Sequence, residues 1–202
     1  MIVIIDYGMG NLHSVLKAFR RIGADAIVSS KGEDIQKAEK LVLPGVGHFK
    51  KGMENLEKRG LIEILNKKII GEKTPILGIC LGMQLFTKFS EEGDAGGLGW
   101  IDARTIKFNL GDKFRVPHMG WNNIKIEKDN KIFSNLNKED YFYFVHSFHV
   151  NCKNKEDILS ITEYGKKFIS AIQKENIIGV QFHPEKSHDA GLEILKNFAE
   201  ET

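Results

Sequence analysis

Two short segments carry residue types that do chemistry together. The first reads Thr74-Pro-Ile-Leu-Gly78-Ile-Cys80-Leu-Gly82-Met-Gln84. An apolar run ends at a Gly-x-Cys-x-Gly pattern, and a helical pattern begins. That is the spacing of a nucleophile elbow, with cysteine where serine more often stands. Glycines two before and two after relieve crowding in a tight strand-to-helix turn. The turn sets the thiol at a helix N-terminus, where peptide dipoles favour the thiolate. The N–H of Leu81 would then face a developing oxyanion. The plain alternative is a buried cysteine closing a core strand, and this segment alone does not separate the two. The second segment is Gly179-Val-Gln-Phe-His183-Pro-Glu185-Lys-Ser187. A thiol nucleophile needs a base, and the base needs an orienting carboxylate. Proline keeps the backbone around it extended, and the i, i+2 spacing lets His183 and Glu185 lie on one side of the chain. A lone histidine at a strand end is usually structural. Beside a cysteine elbow, His-x-Glu reads as the rest of a triad in the order Cys80, His183, Glu185.

These groups must be held by neighbouring elements, and the first half of the chain alternates strand and helix signals. Ile2–Ile5 is wholly apolar, as a parallel strand covered on both faces should be. Leu12, Val15, Leu16, Phe19 and Ile22 follow at helical spacing, with Asn11 as N-cap and Gly23 past the end. Ala26–Ser29 reads as a second strand. A third covers residues 41–43 and stops at Pro44-Gly45. Met53, Leu56, Leu61, Ile62, Leu65 and Ile69 mark one or two helices. Ile76–Cys80 is a fourth strand, with a helix over residues 83–89. Residues 91–99 read as loop. In the second half, residues 116–127, 141–150, 158–164, 168–173 and 177–182 are strand-like. Lys166-Lys167 and Glu175-Asn176 read as hairpin turns, and Leu192, Leu195, Phe198 and Ala199 as a closing helix. The expectation is one α/β domain over residues 1–202. Its mostly parallel open sheet carries flanking helices and is extended by antiparallel strands.

Composition narrows the function classes. The chain has 202 residues, 42% hydrophobic and 28% charged. A chain this long buries roughly 70% of its unfolded surface and needs no staple. Lys+Arg 29 against Asp+Glu 27 leaves +2, too little for a broad nucleic-acid or membrane surface. The first apolar run is short and lacks a basic flank, so it reads as a strand and not a signal peptide. No run of about 18 apolar residues is present to span a membrane. Two cysteines, Cys80 and Cys152, make neither a disulfide framework nor a cysteine-rich zinc site. Free thiols suit a reducing compartment, so a cytoplasmic location is expected. The seven histidines show no H-E-x-x-H pattern, and no metal is expected. Gly8-Met-Gly10 hints at a dinucleotide loop, but His13 stands where the third glycine should be. No acidic residue ends the second strand either, so no such cofactor is expected.

The segment Gly78-Ile-Cys80-Leu-Gly-Met-Gln84 with His183-Pro-Glu185 resembles the class I (triad) glutamine amidotransferases. Further motifs sharpen that resemblance along essentially the whole chain. They are Asp6-Tyr-Gly-Met-Gly-Asn11, Pro44-Gly-Val-Gly47-His-Phe49, Pro117-His-Met-Gly-Trp-Asn122 and Tyr143-Phe-Val-His-Ser147. The resemblance implies that Cys80 attacks the carboxamide of L-glutamine, with His183 as base and acid and Glu185 orienting it. It implies that residues 44–47 form an oxyanion strand. There the peptide between Val46 and Gly47 turns to supply a donor beside Leu81. Gln84, Glu92 and the main chain of Ser147 and Phe148 would hold the substrate's amino-acid end, with Glu92 facing its ammonium. Plain alternatives are a helix residue for Gln84 and a solvated loop charge for Glu92. The resemblance further implies a separate (β/α)8 cyclase partner that takes up the ammonia. Asn11, Met119, Trp121 and Lys186 would lie on the face that meets it. A rival within the family serves amidino-sugar assembly for surface glycans, and Trp100 and His188 lie in segments similar to it. A non-catalytic binding module on the same fold would show a replaced triad member, and none is replaced.

Overall fold

The computed structural model describes residues 1–201. Five strands form the parallel part of an eight-stranded sheet: β1 (Ile2–Ile5), β2 (Ala26–Ser29), β3 (Lys40–Gly45), β4 (Ile76–Cys80) and, late in the chain, a strand at Ile177–Val180. Between the first four run α1 (Leu12–Arg21), α2 (Gly32–Lys37), α3 (Phe49–Lys58) and α4 (Leu61–Asn66), the last continued by a π turn at Lys67–Gly71. Helix α5 (Leu81–Leu85) leaves β4 directly. Asn11 caps α1 as expected, its Oδ1 accepting from the Ser14 amide at 3.2 Å. Helix α2 has no counterpart among the sequence expectations. It is six residues long and buries Ile35 alone, so it has no stripe to read.

Short strands follow: β5 (Phe89–Ser90), β6 (Ala95–Gly96), β7 (Ala103–Lys107), β8 (His118–Asn123), β9 (Lys125–Ile126), β10 (Tyr141–His146), β11 (Phe148–Cys152), β12 (Ile158–Tyr164), β13 (Lys166–Lys174) and β14 (Ile177–Val180). Helix α6 (His188–Glu201) closes the chain. The main sheet runs β2-β1-β3-β4-β14-β13-β12-β9, and β13, β12 and β9 extend it antiparallel. Strand β14, last in sequence, therefore lies in the middle, parallel to β4. Side sheets pair β10 with β8, and join β11, β7, β5 and β6.

Alternation along the parallel strands feeds two cores. Ile2 and Ile4 face the side covered by α1 and α6, with Phe19, Leu195 and Phe198. Val3 and Ile5 face Ile35, Leu56 and Leu65 from α2, α3 and α4. Each such side chain stabilises the fold by about 1.5–3 kcal/mol when fully buried. A strand buried on both faces has no polar side to show, which is why these segments read as unbroken apolar runs.

Several boundaries differ from expectation. Helix α5 spans Leu81–Leu85 and Phe89 lies in β5, where a helix over residues 83–89 was expected. Strand β6 pairs with β5 inside the expected loop at 91–99. The run at 116–127 is broken into β8 and β9, which join different sheets. Strand β3 runs through Pro44 to Gly45 and does not stop before them. Its ladder to β1 ends at Val42, so the missing N–H of Pro44 falls where β3 has a neighbour on one side only. The run at 141–150 is cut at Ser147, because β10 pairs with β8 while β11 crosses to β7. The hairpin between β12 and β13 turns at Gly165 (φ +69), with Lys166 already in the strand.

Candidate active site

The register of β3 against β4 sets Gly45 opposite Cys80, and Val46 and Gly47 follow just beyond. Cys80 sits at φ 54, ψ −108, a backbone region that side chains rarely adopt. Holding it there costs of the order of 1–3 kcal/mol, and such strain concentrates where a side chain must be presented. The flanking glycines are needed for close approach. A Cβ on Gly82 would drive into the Leu43 carbonyl, and one on Gly78 would lie 2.5 Å from the Phe86 ring. The helix behind Cys80 is only five residues long. Its free first N–H groups, Leu81 among them, matter more for an anion than a summed dipole.

Beyond β14 the chain leaves the sheet. The His183 amide donates to the Tyr143 carbonyl at 2.9 Å. The Ser187 hydroxyl donates to the His183 carbonyl at 2.6 Å and accepts from the Tyr143 amide at 3.0 Å. His183 is thus hung on β10 from both sides of its own backbone. His183 Nδ1 lies 2.8 Å from Glu185 Oε1, and the two side chains are 1% and 3% exposed. With Nδ1–H given to Glu185, Nε2 is left for the sulfur of Cys80. Burial opposes a charge on this ring. The charge of the Cys80 sulfur first, and then the Glu185 carboxylate, outweigh burial and lift the His183 pKa to about 10. Beside the Cys80 sulfur, His183 is therefore favoured as the imidazolium.

A cleft of about 350 Å³ opens on Cys80. Leu81, Val46 and Gly47 line it together with Gln84, Glu92, Ser147 and Phe148. The expected oxyanion and substrate residues thus meet in one space. Two of them also have structural duties. Gln84 spends both amide hydrogens, on the Phe148 carbonyl and on Gln181 Oε1, each at 3.0 Å, which leaves only its oxygen for a ligand. Glu92 Oε2 accepts from the Phe49 amide at 2.7 Å, at the start of α3. The loop after β1 braces residues 44–47, since Gly10 lies against the Pro44 carbonyl and Met9 against Gly47. Gly47 itself holds φ +110.

Two residues escaped the sequence reading. Gln181 is fully buried and its Nε2 points to Cys80 Sγ at 3.6 Å. The available signal was its place two residues before His183, on the same side of an extended chain. Tyr7 is also fully buried. Its hydroxyl lies against Gly45 with no partner among the described residues, and burial followed by the Cys80 charge drives its pKa far up.

The expected docking residues lie outside the cleft. Met119 and Trp121 are 61% and 47% exposed on one face of β8. Trp121 stacks on His188 at 4.8 Å and meets Tyr143 at 5.8 Å, and Lys186 reaches over the Tyr143 ring. A groove lined by Ser14, Lys186 and His188 joins this patch to the start of α1, where Asn11 is exposed. Among the described residues no group of three or more metal-ligating side chains comes together. No helix there is long and apolar enough to cross a membrane.

The profile of the glutamine amidotransferase class-I family matches residues 3–202. The chain belongs to that family. Among curated amidotransferase relatives, imidazole glycerol phosphate synthase subunit HisH 2 of Methanococcus maripaludis is 57% identical over 198 residues, covering 98% of each chain. Its namesake in Pseudomonas aeruginosa is 48% identical over 200 residues, covering 99% of each. Among solved structures, PurLQS of Thermotoga maritima superposes at a TM-score of 0.72 with 17% identity, over 98% of this chain and 96% of that one. That likeness concerns the fold alone.

Proposed function

We propose that this chain is the glutaminase subunit of an imidazole glycerol phosphate synthase. It hydrolyses L-glutamine and passes the ammonia to a separate (β/α)8 cyclase subunit in a heterodimer. The product pair there is imidazole glycerol phosphate and AICAR, in histidine biosynthesis. The observation that carries the chemistry is the cleft in which strained Cys80 meets Leu81, Val46, Gly47, Gln84 and Glu92, with the dry His183–Glu185 pair held in the same molecule. The names of relatives at 57% and 48% identity support the pathway.

Cys80 thiolate attacks the carboxamide carbon. The oxyanion that forms is met by Leu81 N–H and, once it has turned, by the peptide between Val46 and Gly47. Removing one such donor typically lowers turnover about 10²–10³-fold, so a turning peptide is an effective gate. His183 gives its proton to the leaving nitrogen, the C–N bond of the tetrahedral intermediate breaks, and ammonia departs to leave the γ-glutamyl thioester on Cys80. The neutral imidazole then takes a proton from water, which attacks the thioester and releases glutamate. Glu92 suits the ammonium of the substrate, and the Ser147 and Phe148 main chain its carboxylate. Ammonia loose in water at pH 7 becomes ammonium and stops being a nucleophile. A direct hand-over across the Met119, Trp121 and Lys186 face serves the reaction for that reason.

The test is glutamate production from glutamine, by the chain alone and with the cyclase subunit and its nucleotide ligand, with Cys80→Ala as blank. Low activity alone and strong stimulation by that partner are expected. Full activity in the isolated chain removes the gate. Activity indifferent to the histidine-route cyclase moves the acceptor to the amidino-sugar partner. No activity under any pairing favours a binding module.

A further inference from the structure

The chain changes sheets at Ser147, and the side chain just before it closes that turn. His146 Nδ1 reaches forward over Ser147 to the Phe148 carbonyl, at 2.7 Å. The same carbonyl accepts from Gln84 Nε2 at 3.0 Å. The Ser147 carbonyl, for its part, accepts from the Phe108 amide at 3.0 Å. The Phe148 N–H lies in the Ser147–Phe148 peptide, which is held through the Ser147 carbonyl. His146 and Gln84 hold the peptide on the other side of the same Cα. The backbone turn at Phe148 that aims this N–H is therefore fixed from both sides.

A ring nitrogen facing a carbonyl must carry the proton, so Nδ1 of His146 is N–H. Its Nε2 lies 3.2 Å from Nδ1 of His118, its direct neighbour across β8 and β10. In a neutral pair His146 Nε2 is then the acceptor and His118 Nδ1 the donor. One backbone carbonyl thus dictates the tautomers of two rings. The surroundings favour the neutral forms. His118 stacks on Tyr164 at 4.1 Å and Phe144 at 4.9 Å, while Phe168 and Phe108 flank His146 at 5.1 and 5.2 Å. Burial is the leading cause that brings His146 down to about 3 and His118 to about 4.

The geometry points to His146, oriented by His118, as a positioning residue that fixes the Phe148 peptide to receive the carboxylate of glutamine. This rests on the glutaminase reading of the cleft. It goes beyond that reading in giving ground-state binding, and not the chemical step, a dependence on two residues outside the triad.

Two measurements test it. Nitrogen shifts of the wild-type chain at pH 7 should show both His146 and His118 protonated on Nδ1 and bare on Nε2. A charged His146, or one protonated on Nε2, overturns the assignment. In glutaminase assays of the complex with its cyclase, His146→Leu should raise the KM for glutamine about tenfold while kcat falls less than about threefold. His146→Asn keeps a donor at the Nδ1 place and should bring KM back to within about threefold of wild type. An unchanged KM in folded His146→Leu, or an Asn variant no better than Leu, overturns the positioning role. Wild type that releases no glutamate is a different failure. It sinks the glutaminase reading, while the imidazole assignment still stands or falls on the nitrogen shifts.

Discussion

A buried imidazole ordinarily sheds its proton, and the molecule holds both that outcome and its opposite. His146, boxed in by rings, is pushed down by burial; His183, equally dry, is held up by Cys80 and Glu185. The sign of the linkage follows. The folded pKa of His183 stands above its unfolded value of about 6.5. Its contribution to stability is complete below that value and is lost as pH rises through about 10. Since the Cys80 sulfur is the first of the raising causes, Cys80→Ala should lower the His183 pKa, as followed by NMR titration. An unchanged value would mean that Glu185 alone sustains the charge. The other thiol behaves differently: burial first, and then Asp157, pushes Cys152 up to about 12. A glutamine-like diazo-ketone at neutral pH should therefore alkylate Cys80 and spare Cys152, by peptide mass mapping. Label on Cys152 would show the wrong nucleophile had been chosen.

At the scale of elements, the contact of α5 with β3 decides whether the elbow exists. Gly82→Ala puts a methyl group into the Leu43 carbonyl, so the helix must back away and carry Cys80 from the oxyanion strand. Overpacking of this kind costs about 1–3 kcal/mol, and glutaminase activity should vanish with it. Gly71→Ala, which meets no atom within 4 Å, is the control and should stay within about 0.5 kcal/mol by urea unfolding. This region was legible in the sequence because its constraints are local. A glycine two residues either side of Cys80 announces its own backbone. Pro184, expected to keep the chain extended, instead opens a 3-10 turn over Pro184–Lys186, because proline also suits the first position of a helical turn. The break at Ser147 was not legible. Residues 141–150 contain neither glycine nor proline to mark a break, and only the pairing of β10 and β11 with different partners divides them. The positions of Glu92 and Gln84 in the cleft were anticipated through resemblance, but their bonds to Phe49 and Phe148 depend on elements distant in sequence.

The whole molecule carries an acid liability. His118, His146 and His149 lie buried together near Phe108 and Phe168, with pKa values brought to about 4, 3 and 4, chiefly by burial. The unfolded chain binds protons at all three below about pH 6.5, and the folded chain does not. Stability should therefore fall as pH drops from about 6.5 toward 4. Unfolding at pH 5.5 should take up between two and three protons, read from the buffer dependence of the calorimetric enthalpy. Uptake of fewer than about one proton there would show the three rings are not neutral together.

The order of strands also times the appearance of reactivity during synthesis. Cys80 ends β4, which is made early, whereas β14 and His183 come from the last part of the chain and must enter the centre of the sheet. Until they do, β4 presents an open edge and its thiol has no base. The nascent chain is thus born with its nucleophile disarmed, and the step that seals the sheet is the step that arms it.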